Sequence, residues 1–376
     1  MPPPTTSLYV HVPFRLASRT YDDAEYTSVS PEARHQYLSA LQQEIAEYAA
    51  PLLSDTDIES VYIGGGRPSL LPLDDLRQIV TALPLANLSS IPEVTIEASP
   101  ADATPDYLNG LAAMGVTRLS LAGFSFSSAV LRALDAPHAA GDVIRAIEAA
   151  RAAGLDTVAL DLLFGLDGLS AETWDATLHR AVALDISHIS ISEVSSTAPQ
   201  DTVTDQLEHA LSFLGTAGYE HYSLTHFARP GHRSAHQEHY DRHGGFLGLG
   251  PSAASLWWVG PSDDSDIRAR RWSNAASLDT YAERLRQGAS PAVHQEDLDP
   301  TELAREYILI RLQTRDGVSL PVLRNTYDLD LRSAAGPLLD RLRTEGLAHD
   351  TPDRLRLTRR GRLLTDAITR RLLSSL

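Results

Sequence analysis

The chain contains no cysteine in its 376 residues. That excludes disulfides, zinc sites built on thiolates and iron–sulfur clusters held by cysteine. Lysine is absent too, so all 32 basic residues are arginine, against 49 acidic residues and a formal net charge of −17. Such a surface repels phosphate backbones and anionic lipid, and nucleic acid is not expected as a partner. Arginine-favouring codon usage with a soluble surface explains the missing lysine; adaptation to high salt is the alternative. No run approaches the ~18 consecutive apolar residues of a membrane span, so no stable membrane insertion is expected. The opening "MPPPTTS" lacks a basic segment followed by an apolar one, and the expected location is cytoplasmic.

What is present is ordinary for a globular protein: 43% hydrophobic and 22% charged residues. The length admits one large domain with a smaller one, or one elaborated barrel. Over the first 225 or so residues, short β-branched runs alternate with amphipathic stretches. "SLYVHV", "SVYIG", "EVTIEA", "TRLSLAG", "DTVALDLLFG" and "ISHISISEV" read as buried parallel strands. Between them lie helices with legible starts: Ser30-Pro31, Thr104-Pro105 with Gly115 as a stop, and Ser170 ahead of Glu172 and Asp175. Six strand–helix units in sequence predict an α/β parallel layer, doubly wound or an open barrel. Residues 276–289, 300–313 and 318–344 read as mainly helical. "GLAHDTPDRLRLTRRGRLLTDAITRRLL" then suggests a β-ribbon and a last helix, similar to a small winged-helix module packed on the barrel.

"VYIGGGRPSLL" sets Gly64, Gly65 and Gly66 at the C-terminal end of a strand, the functional end of a parallel barrel, where the backbone can approach a ligand. A tight turn explains them equally well. Six histidines crowd positions 221–243: His221, His226, His232, His236, His239 and His243. Asp22, Asp23 and Glu25 read as an exposed charged loop rather than a metal site. The sequence has no G-x-S-x-G elbow, no Walker A loop and no H-E-x-x-H.

Taken in order, "LYVHVPF", "VYIGGGRPS", "EVTIEASP", "GVTRLSLAGFSF", "LDLLFGLDG", "YEHYSLTHFARPGH", "HQEHY" and "FLGLGPSAAS" resemble the landmarks of one family. It is the oxygen-independent coproporphyrinogen oxidase group of radical S-adenosylmethionine (SAM) proteins, and within it the HemW-type heme chaperones. The resemblance runs nearly the whole chain. It implies a partial (β/α)6 barrel over residues 1–235, and over 236–376 a smaller, mostly helical C-terminal domain with a winged-helix-like end.

In that family a C-x3-C-x2-C motif holds three irons of a 4Fe–4S cluster, and SAM chelates the fourth. The matching positions here are Arg15, Arg19 and Asp22. Guanidinium has no free lone pair, and one carboxylate cannot hold a cluster, so no cluster and no radical activity are expected. The resemblance assigns SAM contacts to Gly64, Gly65, Gly66, Glu97 and Asp161. Phe124 replaces a usual Gln and Ala136 a usual Arg, which puts SAM binding in doubt. The heme-associated "HNxxYW" reads "HQEHYD", retaining His236 and Tyr240 as heme ligands, while Ala254 replaces a usual His. Arg15 and Arg19 are expected either to pair with Glu97 and Asp161 or to bind an anion such as a propionate.

Three classes stay open: a HemW-like heme or tetrapyrrole carrier with a heme-accepting protein as partner; a SAM-binding or porphyrin-modifying enzyme without radical chemistry; and a catalytically silent partner subunit. The first is the reading adopted, with heme as the expected ligand.

Overall fold

The computed structural model describes residues 5–15, 27–85, 87–155, 157–194, 198–259 and 267–376. Six parallel strands form its centre: β1 (Thr5–Val12), β2 (Asp57–Gly65), β3 (Glu93–Ala98), β4 (Arg118–Phe124), β5 (Thr157–Phe164) and β6 (His188–Glu193). Each is followed by a helix: α1 (Pro31–Glu44), α2 (Leu73–Ala82), α3 (Pro105–Ala113), α4 (Ala140–Ala152), α5 (Ala171–Ala183) and α6 (Gln200–Thr216). The expected starts are present, because Ser30, Thr104 and Ser170 each accept a backbone N–H from the first helical turn.

The strands alternate in character. Leu8, Val10, Val61, Ile63, Val94, Ile96, Leu119, Leu121, Leu160 and Ile189 are sealed in one apolar cluster with the helices. The opposite face carries polar side chains at every second position, and the register lines them up: Ser7 beside Ser60, Tyr9 beside Tyr62, Thr95 beside Arg118, Asp161 beside Ser190.

The sheet goes further than the six units. Beyond β6 it continues through β8 (His226–Ala228) to β7 (Glu220–Ser223), both antiparallel. Beyond β1 lie β9 (Phe246–Leu249), parallel to it, then antiparallel β10 (Ala254–Trp258), β11 (Ala269–Asn274) and β12 (Ala292–Leu298). Among the described residues this makes one open sheet of twelve strands, with β12 and β7 at its edges. β11 and β12 are polar in sequence because cross-strand ion pairs, Arg270–Asp297 and Arg271–Glu296, join them. Residue 235 begins the short helix α7 (Ala235–Asp241), and the sheet runs on past it, with Leu247, Leu249 and Leu278 in the first apolar cluster.

The C-terminal region is mostly helical: α8 (Leu278–Arg286), α9 (Pro300–Leu312), α10 (Leu320–Tyr327), α11 (Leu331–Thr344) and α12 (Thr365–Leu373). The stretch expected as mainly helical over 318–344 divides at Asp328, which is left-handed (φ 56°), and α11 restarts under Asp330 as its cap. A three-stranded ribbon of 318–319, 348–350 and 354–357 completes the winged-helix-like end. Its arginines dock it on the barrel: Arg362 Nη1 reaches His221 Nδ1 (2.7 Å) and Arg311 Nη1 donates to the Asp241 carbonyl (2.9 Å).

Candidate ligand cavity inside the barrel

The polar inner faces of the strands enclose a cavity of about 720 Å³. Helix α7 closes one end, held by a carboxylate at its positive terminus. Glu93, at the start of β3, accepts from Ser234 Oγ (2.8 Å), Ala235 N (2.8 Å) and His236 N (3.2 Å). His239, one turn on, is a fastener: Nδ1 contacts Glu59 Oε2 (2.8 Å) and Nε2 the Gly245 carbonyl (2.7 Å).

His236 and Tyr240 lie on one face of α7, with ring centroids 4.6 Å apart and edge to face. His236 stacks on Tyr62 at 4.9 Å, and Tyr240 packs edge-on against Phe246. The His236 Nδ1 atom is 2.8 Å from Ser60 Oγ, whose own hydrogen goes to Ser7 Oγ. Ser60 therefore accepts from Nδ1–H, and the lone pair of His236 is on Nε2. That atom is buried without a hydrogen-bond partner, in a residue that lines the cavity. Burial, with the nearby His239 and Arg118, lowers the His236 pKa to about 3, so the ring is neutral. Burial raises the Tyr240 hydroxyl well above its ordinary range.

The same wall holds Arg118, His188 and His226. Burial, Arg118 and His221 lower His226 to about 3; burial, Arg118 and the neighbouring histidines hold His188 well below its usual value. The remaining members of the histidine run are structural. His221 joins the Leu224 carbonyl to Arg362, and His243 joins Tyr327 to Glu306. No three His, Asp or Glu side chains among the described residues converge as a metal site.

Of the sequence-predicted cofactor residues, Glu97 and Asp161 line the cavity, and Gly64, Gly65 and Gly66 are not among its lining residues. Gly65 adopts φ 108°, and a Cβ on Gly66 would stand 2.3 Å from the Phe14 carbonyl, so glycine is required at both. Their amides are engaged within the chain: Gly65 N donates to Glu97 Oε2 (3.1 Å) and Gly66 N to the Val12 carbonyl (2.8 Å). Glu97 Oε1 accepts from Tyr62 OH (2.7 Å). Asp161 accepts from Ser190 Oγ and, at 3.2 Å, from Ser120 Oγ. Serine and tyrosine hydroxyls satisfy those carboxylates, and Arg15 acts on Glu97 through its charge. Arg19 and Asp22 lie outside the described residues. Phe124 is left-handed (φ 61°), with its ring 5.7 Å from His138.

Comparison with known proteins agrees with this architecture. Residues 24–181 match the Radical SAM superfamily and residues 298–364 the HemN C-terminal domain. The chain is 32% identical over 400 residues to the heme chaperone HemW of Mycobacterium tuberculosis, covering 99% of this chain and 96% of that protein. The chain belongs to the HemW family. The Bacillus subtilis heme chaperone HemW is 25% identical over 380 residues, covering 96% of this chain and 97% of the relative. Coproporphyrinogen III oxidase (HemN) from Escherichia coli, described as a radical SAM enzyme, superposes with a TM-score of 0.83 at 22% identity, over 99% of this chain and 91% of that one. It shares the fold.

Membership of a radical SAM family implies a 4Fe–4S cluster and SAM. The donor set here does not fit the cluster, because the sequence has no thiolate and Arg15 cannot donate an electron pair. Of the SAM positions, Glu97 accepts from Gly65 and Tyr62, Gly66 donates to Val12, and Asp161 accepts from Ser120 and Ser190.

Sequence reasoning placed His236 and Tyr240 together and counted His226 in the histidine run, but missed Arg118 and His188. The signal was the period-two alternation within the strands. Arg118-x-Ser120 and His188-x-Ser190 put polar residues on one face of runs that were taken as buried on both.

Proposed function

We propose that the chain holds heme or a related tetrapyrrole in the barrel cavity and passes it to an acceptor protein, without radical chemistry. The observation that carries this is His236 Nε2: a neutral imidazole nitrogen, oriented by Ser60 through its other nitrogen, buried without a partner in a residue that lines the cavity. Such a nitrogen is a common axial ligand of heme iron, and a tyrosine hydroxyl can also serve. The cavity, about 720 Å³, falls among pockets of roughly 300–1,000 Å³ that take organic ligands of this order. The HemW relatives are named heme chaperones, which supports the same ligand.

The absence of cysteine supports the second half of the reading. Reductive cleavage of SAM needs an electron from a cluster, and this chain offers no residue set to hold one.

The test is a hemin titration of the full chain followed at the Soret band, beside His236→Ala and Tyr240→Phe. A saturable one-to-one shift, weakened in His236→Ala, is the expected result. No saturable shift, or the same shift in all three proteins, would overturn the reading.

A further inference from the structure

Arg118 is the first residue of β4, on the polar inner face of the sheet, and is 4% exposed. Among the described residues no hydrogen bond or ion pair reaches its guanidinium, and its Nε is buried without a partner. A buried cation in that state is costly in isolation, since folding removes its hydration and returns nothing. A ligand that supplies the missing partner recovers that loss.

The protein's own anions do not fill the role. Three carboxylates share the cavity wall with Arg118, and each is engaged elsewhere. Glu97 is held by Tyr62 and Gly65, Asp161 by Ser190 and Ser120, and Glu306 by Arg271 and His243. Arg271, the other arginine on the wall, is paired with Glu296 and Glu306. The remaining wall groups near Arg118 are imidazoles, which burial and its charge keep neutral, and phenols, which burial keeps protonated. Arg118 is therefore the one cation of the described cavity wall with its fork of N–H donors open, and that fork matches a carboxylate in geometry and charge.

We propose that Arg118 anchors a carboxylate of the cavity's occupant, so that the cavity takes acidic tetrapyrroles in preference to their esters. The inference rests on the heme reading above and adds the recognised group. It divides the work between two residues: His236 addresses the iron, and Arg118 the acidic edge of the macrocycle. The arginines considered from sequence for an anion, Arg15 and Arg19, are not needed for it.

The experiment compares hemin with hemin dimethyl ester, in which both propionates are neutral, on the full chain and on Arg118→Gln, by Soret titration. The wild type is expected to bind hemin tighter than the ester by on the order of tenfold or more, the size of one charge-assisted pair. Arg118→Gln is expected to lose that preference by weakening hemin alone. Because Arg118 makes no bond in the ligand-free chain and its burial is costly, the variant is expected to melt no lower than the wild type. If it does not fold, Arg118→Met, which keeps the packing of the stem, is read in the same way. Equal affinity of hemin and ester in the wild type, or equal weakening of both by the substitution, would overturn the anchor and leave the heme reading standing. Absence of saturable binding for either porphyrin would remove the heme reading and the anchor together.

Discussion

His236 Nδ1 sits 2.8 Å from Ser60 Oγ, and this contact joins the helix that closes the barrel to the start of its second strand. It fixes both the orientation of the imidazole and which nitrogen carries the proton. Ser60→Ala removes the acceptor and leaves Nδ1–H buried and unsatisfied. Urea unfolding should show a loss of about 1–3 kcal/mol. Hemin affinity should fall roughly tenfold as ring orientation is lost, as for other second contacts of metal ligands. Unchanged affinity would show that Ser60 does not position the ring.

The pH dependence of binding separates a buried histidine from a solvated one. A solvated imidazole loses its lone pair below about pH 6.5. His236 is lowered to about 3, first by burial and then by His239 and Arg118, so its Nε2 stays available far below that. Hemin affinity at His236 should therefore hold between about pH 8 and 5, and a tenfold loss across that window would place the ligand on an exposed histidine instead.

Glu97 predicts stability running the other way. Burial raises its pKa from 4.5 to about 7, partly offset by the Tyr62 hydroxyl, with Asp161 adding to the rise. A raised folded-state pKa means the native state favours the protonated acid. The contribution is full below about pH 4.5 and is lost as the pH climbs through about 7. The wild type should lose on the order of 2–3 kcal/mol over that interval relative to Glu97→Gln, which has no proton to release. Parallel stability curves for the two proteins would refute it.

Glu93 is the mooring of α7. Glu93→Ala strips the acceptor from Ser234, Ala235 and His236 at once. The expected loss is about 2–4 kcal/mol by chemical denaturation, together with hemin binding, because His236 is carried by the helix that comes loose. Loss of stability with full hemin affinity would separate the helix from the site.

Restoring thiolates tests what replaced the cluster. The triple substitution Arg15→Cys/Arg19→Cys/Asp22→Cys recreates the family's ligand spacing. Anaerobic reconstitution should give close to four irons and four sulfides per chain in this variant, as the cysteine-ligated cluster type requires, and essentially none in the wild type. Iron and sulfide retained stoichiometrically by the wild type would show a cluster held by other ligands.

Much of the fold was written locally. Ser30-Pro31, Thr104-Pro105 and Ser170 start helices by side-chain geometry within a single turn, so sequence alone placed them. The six parallel strands were legible from their apolar halves, and the misfit to a cysteine-held cluster from the lack of any thiolate. His236 and Tyr240 were paired by helical spacing, which is also local. The tertiary structure decided the rest. β11 and β12 are strands because Arg270 and Arg271 meet Asp297 and Glu296 across a ladder, a pairing about 26 residues away in the chain that no local pattern encodes. The six histidines between 221 and 243 look equivalent in sequence. They diverge because the docking of helix α7 gives His239, and the turn after it gives His243, two partners each, and leaves His236 Nε2 buried without one. Arg118 is one of 32 arginines until the sheet curves and turns it inward, where burial strips its water and every carboxylate of the described wall is already held.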